Sequence, residues 1–303
     1  MPLTEDELRV LRAAMGESND LALLNAALAE ISDRRNTTPV EDFAGLTPED
    51  MTFLLYKPFT SPEYIRLPEV LDVEPEAPVL ELLMPLFQEL TNAPIKLTAK
   101  GNLPTRIVRE RAAAYEPEHE SYPERNPEFA HNEDSFPDLH AARTVAELAG
   151  LIRKQHGKLY LTKKAEKLLG AHGARSVYPL LLRTYLLKFN WAYMDRFDEL
   201  PLIQQSWAFT CYLLTHFGQA ERPVSFYVDR FLQAFPLLLD EVDPTYMTAE
   251  EAVGFAYEFR ALVRFLGLFG FANYSWVTVP RSLPKGSIKP TALLMEAVQL
   301  QVR

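Results

Sequence analysis

Apolar side chains recur every three or four positions over most of this chain, which is the period of an α-helix. Near the start, residues 4–15 and 19–33 show this period and predict a pair of helices. Thr47 then precedes a proline and two acids, a combination typical of a helix N-terminus. Several prolines in residues 58–76 predict an extended, looped connection. We therefore predict a helical N-terminal region over residues 1–78.

Residues 79–172 combine helical periods with short β-type runs. The pattern predicts the order helix, strand, helix, helix, strand, strand. The predicted spans are Val79–Leu90, Ile95–Thr98, Asn102–Tyr115, Pro137–Ala149, Leu151–Arg153 and Lys158–Thr162. His156 and Gly157, between the last two strands, favour a tight hairpin because glycine accepts a positive φ. This order is that of a winged helix, in which the hairpin is called the wing.

The last part of the chain, residues 173–303, repeats some of this pattern. Leu268–Phe271 resembles Leu148–Leu151, and Ile288–Thr291 occupies the place of Leu159–Thr162. We therefore predict a helical domain that ends in a second, degenerate winged helix with a longer wing at residues 280–286. The predicted fold class is mainly α with small β-hairpins, as tandem winged-helix-like domains preceded by the helical N-terminal region.

An acidic, proline-rich insertion at residues 116–135 separates the second and third helices of the first winged helix. Its composition cannot bury a core, so we expect a solvated surface segment. His119 and His131 lie in the insertion and His140 lies just beyond it, but their spacing matches no standard set of metal ligands. We predict no metal and no cofactor.

Charge is distributed unevenly over the 303 residues. Residues 1–94 hold 18 acidic and 6 basic residues, whereas the remainder holds 23 acidic and 25 basic residues. The net charge of −10 therefore belongs to the N-terminal part and does not exclude a polyanionic partner for the rest.

Compartment and membrane association are constrained by a few further features. Cys211 is the one cysteine and lies in an apolar run, which favours a buried, unreactive thiol and a reducing, cytoplasmic setting. The N-terminal residues do not read as a secretory signal. The most apolar stretch, residues 177–194, contains Arg183 and Lys188, so we predict a buried helix there and no membrane partner.

Two runs resemble a known family. Leu97–Leu103 reads L-T-x-x-G-N-L, and Gly45–Met51 forms a second shared run. Together with Gly150–Leu169 they are similar to an uncharacterised bacterial family whose members include plasmid open-reading-frame-like proteins. The resemblance covers roughly residues 45–170 and implies no activity. From the residues themselves, Thr98 and Asn102 are predicted to cap a turn and a helix start.

Sequence motifs of enzyme chemistry are missing from the chain. It contains no phosphate-binding glycine loop, no nucleophile elbow and no H-E-x-x-H pair, so we predict no enzymatic activity. The acids Glu250 and Glu251 follow Thr248 at a predicted helix start, where acids commonly occur for electrostatic reasons.

A basic cluster is the feature that indicates a function. Cations on a wing and on nearby helix edges can neutralise phosphates and release counterions. The alternative is a solvated lysine face without a partner. The predicted nucleic-acid-binding residues are Arg106, Arg109, Arg143, Arg153, Lys154, Lys158, Lys163 and Lys164.

Two functions remain open from the sequence, with an unrecognised enzyme as a third. The first is a nucleic-acid-binding or regulatory protein whose partner is duplex DNA. Weak sequence preference is expected because the third helix, Pro137–Ala149, carries few side chains suited to base edges. The second is a protein-interaction or scaffold module in which the same winged helices dock a protein partner.

Overall fold

The fold is mainly helical with small antiparallel sheets. The computed structural model describes residues 4–16, 21–115, 130, 132–243, 245–277 and 285–302. The helices are α1 (Glu5–Gly16), α2 (Leu21–Thr37), α3 (Pro48–Tyr56), α4 (Pro78–Asn92), α5 (Thr105–Tyr115), α6 (Pro137–Leu148), α7 (Lys163–His172), α8 (Ala174–Leu187), α9 (Pro201–Gln205), α10 (Trp207–Phe217), α11 (Val224–Ala234), α12 (Ala249–Tyr257), α13 (Leu266–Leu268) and α14 (Ala292–Ala297). The strands are β1 (Ile65–Arg66), β2 (Ile95–Lys96), β3 (Ile152–Gln155), β4 (Lys158–Leu161), β5 (Arg222–Pro223), β6 (Ala272–Val277), β7 (Lys285–Pro290) and β8 (Gln299–Leu300).

The N-terminal region begins with the predicted helical pair. Helices α1 and α2 pack on each other, and α2 buries Ala27 and Ile31. Thr47 starts α3 through a reciprocal capping box, in which its hydroxyl accepts from the Asp50 N–H and the Asp50 carboxylate accepts from the Thr47 N–H. Helix α3 then packs against α10. The region is thus joined to the rest of the fold through α3.

The first unit, from α4 to β4, has the predicted order of elements. Its sheet has the order β2-β4-β3, so the first strand of the unit pairs with the last. His156 and Gly157 both adopt positive φ, 49° and 69°, and close the β3–β4 hairpin as predicted. Helix α5 begins at Thr105 rather than at the predicted Asn102. Thr98 accepts from the Asn102 N–H at 3.1 Å within a turn, so the prediction that Asn102 caps a helix is wrong.

The second unit, from α10 to β7, repeats this arrangement. Its sheet has the order β5-β7-β6, so again the first strand pairs with the last. Its third helix starts at α12 with the predicted Thr248 cap and continues through a π-helical segment, Glu258–Phe265, into α13. The longer wing was predicted at residues 280–286, of which residues 280–284 lie outside the described residues.

Matching hydrogen bonds confirm that the two predicted segments correspond. Gly150 and Gly270 follow the third helices with φ of 71° and 67°. The hydroxyls of Thr162 and Thr291 donate to the carbonyls of Gly150 and Gly270, each at 2.7 Å. The Thr291 N–H donates to Phe271 just as the Thr162 N–H donates to Leu151, both at 3.0 Å. The same ring of bonds therefore closes each hairpin against the end of its helix.

One continuous apolar core joins the two units. Helix α8 packs on α6, and its Tyr178 hydroxyl donates to the Phe269 carbonyl at 2.7 Å. Strand β1 pairs with β8, which ties the N-terminal region to the last described residues. The predicted buried helix at residues 177–194 ends at Leu187, and a short 3-10 turn, Trp191–Met194, follows.

The predicted insertion at 116–135 is described only at its end. Residues 116–129 and 131, including His119 and His131, lie outside the described residues. Residues Glu133–Ser135 form a 3-10 turn in which Glu133 is fully buried. The prediction that the whole insertion is solvated is therefore wrong at this end, because Glu133 has charged partners in the core.

Candidate nucleic-acid interface

The third helix of the first unit, α6, is enclosed by protein. It packs against α4 and α8, and its small side chains Ala141, Ala142 and Ala146 allow close approach on several sides. Its charged residues Asp138 and Arg143 are buried. Leu148, at the last turn, is exposed. Helix α6 therefore cannot enter a DNA major groove in this conformation.

Arg143 takes part in a buried ion cluster and does not reach solvent. Its guanidinium donates to the carboxylates of Glu133 and Glu147. Glu133 also accepts the Leu103 N–H at 2.7 Å and lies 3.2 Å from Nδ1 of His140. Burial raises the pKa of Glu133, but its contacts with His140, Arg143 and Leu103 outweigh burial and hold that pKa below its ordinary value. Arg143 is thus a structural residue, and its prediction as a phosphate contact is wrong.

The arginines of α5 lie among acidic side chains. Arg106 pairs with Glu110 at 2.7 Å and lies 3.9 Å from Glu89. Glu89 also pairs with Arg111 at 3.1 Å. Arg109 is exposed on the same helix. The positive charge of Arg106 is therefore partly compensated before any partner binds.

The strands of the first sheet place the predicted cations Arg153, Lys154 and Lys158 on two faces. Side chains opposite each other on paired antiparallel strands share a face, and alternate residues on one strand do as well. Arg153 lies opposite Tyr160, and Lys158 lies opposite both Gln155 and Lys96. We call the resulting surface the outer wing face, and it consists of Lys96, Arg153, Gln155, Lys158 and Tyr160.

The outer wing face carries cations without acidic partners. Lys96, Arg153 and Lys158 are exposed, and none of them forms an ion pair with a carboxylate in the described part of the chain. Arg153 instead donates to Gln155, and its guanidinium lies over the Tyr160 ring at 5.0 Å from the centroid. Lys96 and Lys158 are direct cross-strand neighbours of like charge, an arrangement that normally destabilises a sheet.

Three of the predicted cations lie away from this face. Lys154 points to the opposite face of the sheet, and its ammonium is 3.4 Å from Glu147. Lys164 donates to the Ala149 carbonyl at 2.8 Å, where it completes the end of α6. Lys163 is exposed at the start of α7. The sequence prediction also missed Lys96, because its place beside Lys158 depends on pairing between distant strands.

Two arginines on the third helix of the second unit are also buried. Arg260, on the π-helical segment, contacts the Asp195 carboxylate at 2.6 and 3.0 Å and donates to the Glu199 carbonyl at 2.7 Å. Arg264 lies 3.5 Å from the same carboxylate. Both side chains hold the 191–200 loop against the helix, so they are structural and cannot contact a nucleic acid.

The hairpin of the second unit carries a different set of residues on its outer face. By strand register, Ser287 and Lys289 take the places of Lys158 and Tyr160, and Asn273 takes the place of Arg153. Ser287 donates to the carboxylate of Glu221. Lys289 is exposed beside this acid. The opposed pair of lysines is thus a feature of the first unit, because a proline and a serine face each other at these places in the second unit.

A cleft of about 710 Å³ lies between the units, lined by acids such as Glu76 and Glu296 together with Arg264. In the residues that the structure describes, no group of three or more His, Cys, Asp or Glu side chains could hold a metal ion. Cys211 is buried as predicted, and burial raises the pKa of its thiol.

Among the described helices, none combines the length and apolarity that a bilayer crossing requires.

The order of elements in the first unit recurs in the second unit, and so does the hydrogen bond between Gly150 and Thr162. Residues 76–174 match the Y4jL N-terminal domain family. This match to the Y4jL N-terminal domain runs from just before α4 to the start of α8 and agrees with the expected resemblance of this part to an uncharacterised family. No curated protein and no solved structure matches the chain.

Proposed function

We propose that this protein is a non-enzymatic nucleic-acid-binding or regulatory protein built on two winged helices, and that the outer wing face binds the phosphate backbone. Three features support the winged-helix assignment in each unit: the order of elements, the pairing of the first strand with the last, and the hairpin after the third helix.

The observation that carries the proposal is the Lys96–Lys158 pair. Two lysines that face each other across a sheet repel, and no described carboxylate lies between them to offset the repulsion. A bound phosphate would remove this repulsion and release counterions. Arg153 extends the positive surface along the neighbouring strand.

Base sequence is not the property that this surface recognises. The third helix of each unit is buried, so neither presents a reading face to a major groove. Phosphate contacts position a protein without carrying sequence information. The proposal therefore predicts binding with weak sequence preference.

The test replaces Lys96, Arg153 and Lys158 by alanine together and measures affinity by fluorescence anisotropy over a range of salt concentrations. Loss of three phosphate contacts should lower the slope of log affinity against log salt by roughly 2 to 3 units. The weakening should be similar for probes of unrelated sequence.

A matched control replaces three exposed cations on other elements, namely Lys57, Arg66 and Lys188, by alanine. This variant loses the same net charge, so it should retain most of the affinity if the outer wing face is the contact. Equal weakening in both triple variants would show that net charge, and not the outer wing face, determines the affinity. Undetectable binding of the wild type at low salt would refute the proposed function.

The second candidate function is a protein-interaction or scaffold module. The burial of both third helices favours it, because a winged helix that does not read DNA keeps its wing and strands available for a protein partner. Capture of a specific protein from cell extract that persists after nuclease treatment, with no affinity for nucleic acid, would support this alternative.

A further inference from the structure

We infer that the outer wing face takes single-stranded nucleic acid by stacking an unpaired base at Tyr160, an inference that rests on the proposed function. The basis is the position of an aromatic ring among the cations of an exposed sheet face. Tyr160 is partly exposed, and it lies directly across the strand from Arg153 and two residues from Lys158.

The spacing of these side chains suits a nucleotide. Lys158 and Tyr160 point to the same side of β4, and alternate residues on a strand lie about 7 Å apart. A phosphate bound by Lys158 and Lys96 would therefore place an adjacent base near the Tyr160 ring. Cationic grooves with interspersed aromatic rings are the usual means of binding single strands without sequence preference.

Arg153 extends the stacking surface. Its guanidinium already lies over the Tyr160 ring, 5.0 Å from the centroid, and it is held by a hydrogen bond to Gln155. Bases stack on guanidinium planes as they do on aromatic rings. A base can therefore add to the existing stack or replace the guanidinium against the ring.

A duplex cannot use this feature. Its bases are already stacked on one another, so Tyr160 has no free base to contact and only the phosphates remain available. The buried α6 offers no groove contact in compensation. Single strands should therefore bind more tightly than a duplex of the same composition and salt conditions.

The decisive comparison uses Tyr160→Leu, which keeps an apolar side chain in β4 but removes the ring. It should weaken binding of a fluorescent oligothymidine single strand by roughly 5- to 150-fold, the range for loss of one stacked base. Affinity for a duplex should change by less than about twofold, because the phosphate contacts are unchanged. Tyr160→Phe should restore the affinity for the single strand.

Arg153→Lys gives a second, independent measurement. It keeps the positive charge but removes the planar group, so the salt slope should stay the same while the single-strand affinity falls. The thermal midpoint of each variant checks that the fold is retained.

The outcomes separate this inference from the proposed function. Binding that depends on Lys158 but is unaffected by Tyr160→Leu would overturn base stacking and leave the proposed function in place. Equal weakening on single strand and duplex would also overturn it, since Tyr160 would then act through the fold. Absence of binding to either probe would refute both.

Discussion

The outer wing face of the first unit and the matching face of the second unit lie on the same strand framework but carry different side chains. In the first unit two lysines oppose each other, whereas in the second unit Pro223 and Ser287 take their places. The Ser287 hydroxyl donates a hydrogen bond to the carboxylate of Glu221. The strand framework therefore does not require two opposed cations, because the second unit forms the same sheet with a proline and a serine at these places.

The ion clusters around the third helices also differ, and mutations in them are expected to have the largest effects on stability. Asp195 is a shared partner of two buried arginines, so Asp195→Asn leaves both without a full counter-charge. We expect unfolding free energy to fall by about 3–5 kcal/mol, as for other broken buried pairs. Glu133→Gln should cost less, about 1–3 kcal/mol, because Arg143 keeps Glu147. Urea denaturation measures both, and equal losses would contradict this ranking.

Acidification tests the contribution of the Glu133 charge to stability. The pKa of Glu133 is lowered in the folded protein, so its ionised form contributes stability above the unfolded pKa of about 4.3. This contribution is lost as pH falls through the lower, folded pKa. Glu133→Gln should therefore lose less stability than the wild type below about pH 4. Parallel pH profiles of the two proteins would show that the Glu133 charge has no such role.

The paired glycines provide the next comparison. Gly150→Ala should cost about 1–2 kcal/mol because alanine at φ 71° is strained, although the space around its Cβ is open. A Cβ at Gly270 would in addition lie 2.9 Å from the Glu76 carbonyl oxygen and 3.2 Å from Ala77 Cα. Gly270→Ala should therefore destabilise more. Thermal unfolding of both variants tests the ranking, and an equal shift would argue against the close approach at Gly270.

The paired threonines should differ by about one hydrogen bond. The Thr162 hydroxyl donates to Gly150 and also accepts from the Ala165 N–H, whereas Thr291 makes only the first type of bond. Thr162→Val should cost about 2 kcal/mol and Thr291→Val about 1 kcal/mol. The measurement is again urea denaturation, with each valine keeping the shape of the side chain it replaces.

The smallest effect concerns the opposed lysines. Lys158→Ser introduces the residue that the second unit has at this position and removes the repulsion with Lys96. It should stabilise the fold by about 0.2–1 kcal/mol while weakening nucleic-acid binding. The reverse change, Ser287→Lys, should add little affinity because Glu221 lies beside it. A destabilised Lys158→Ser variant would mean that the lysine pair has a structural function.

Local signals account for the parts of the fold that could be predicted. The hairpin at His156-Gly157 and the caps at Thr47 and Thr248 each depend on residues within a few positions. The matched segments around Gly150 and Gly270 could be predicted for the same reason.

Long-range packing accounts for what could not be predicted. Burial of α6 depends on its contact with α8, which the sequence of α6 does not specify. The only local signal of burial was the number of alanines in α6. Glu133 belongs to a segment of solvated composition, so nothing local indicated that it would neutralise Arg143 in the core. Lys96 could be placed beside Lys158 only after β2 was paired with β4.

The pairing of β1 with β8 has a consequence for the order of folding. Ile65 pairs with Leu300, so this sheet cannot form on the ribosome until residue 300 has emerged. The β3–β4 hairpin closes over a few residues and can form early, whereas contacts of high sequence separation form slowly. During synthesis, β1 therefore remains unpaired while the first unit can already fold. The β1–β8 ladder is expected to gain protection from hydrogen exchange later than the β3–β4 hairpin.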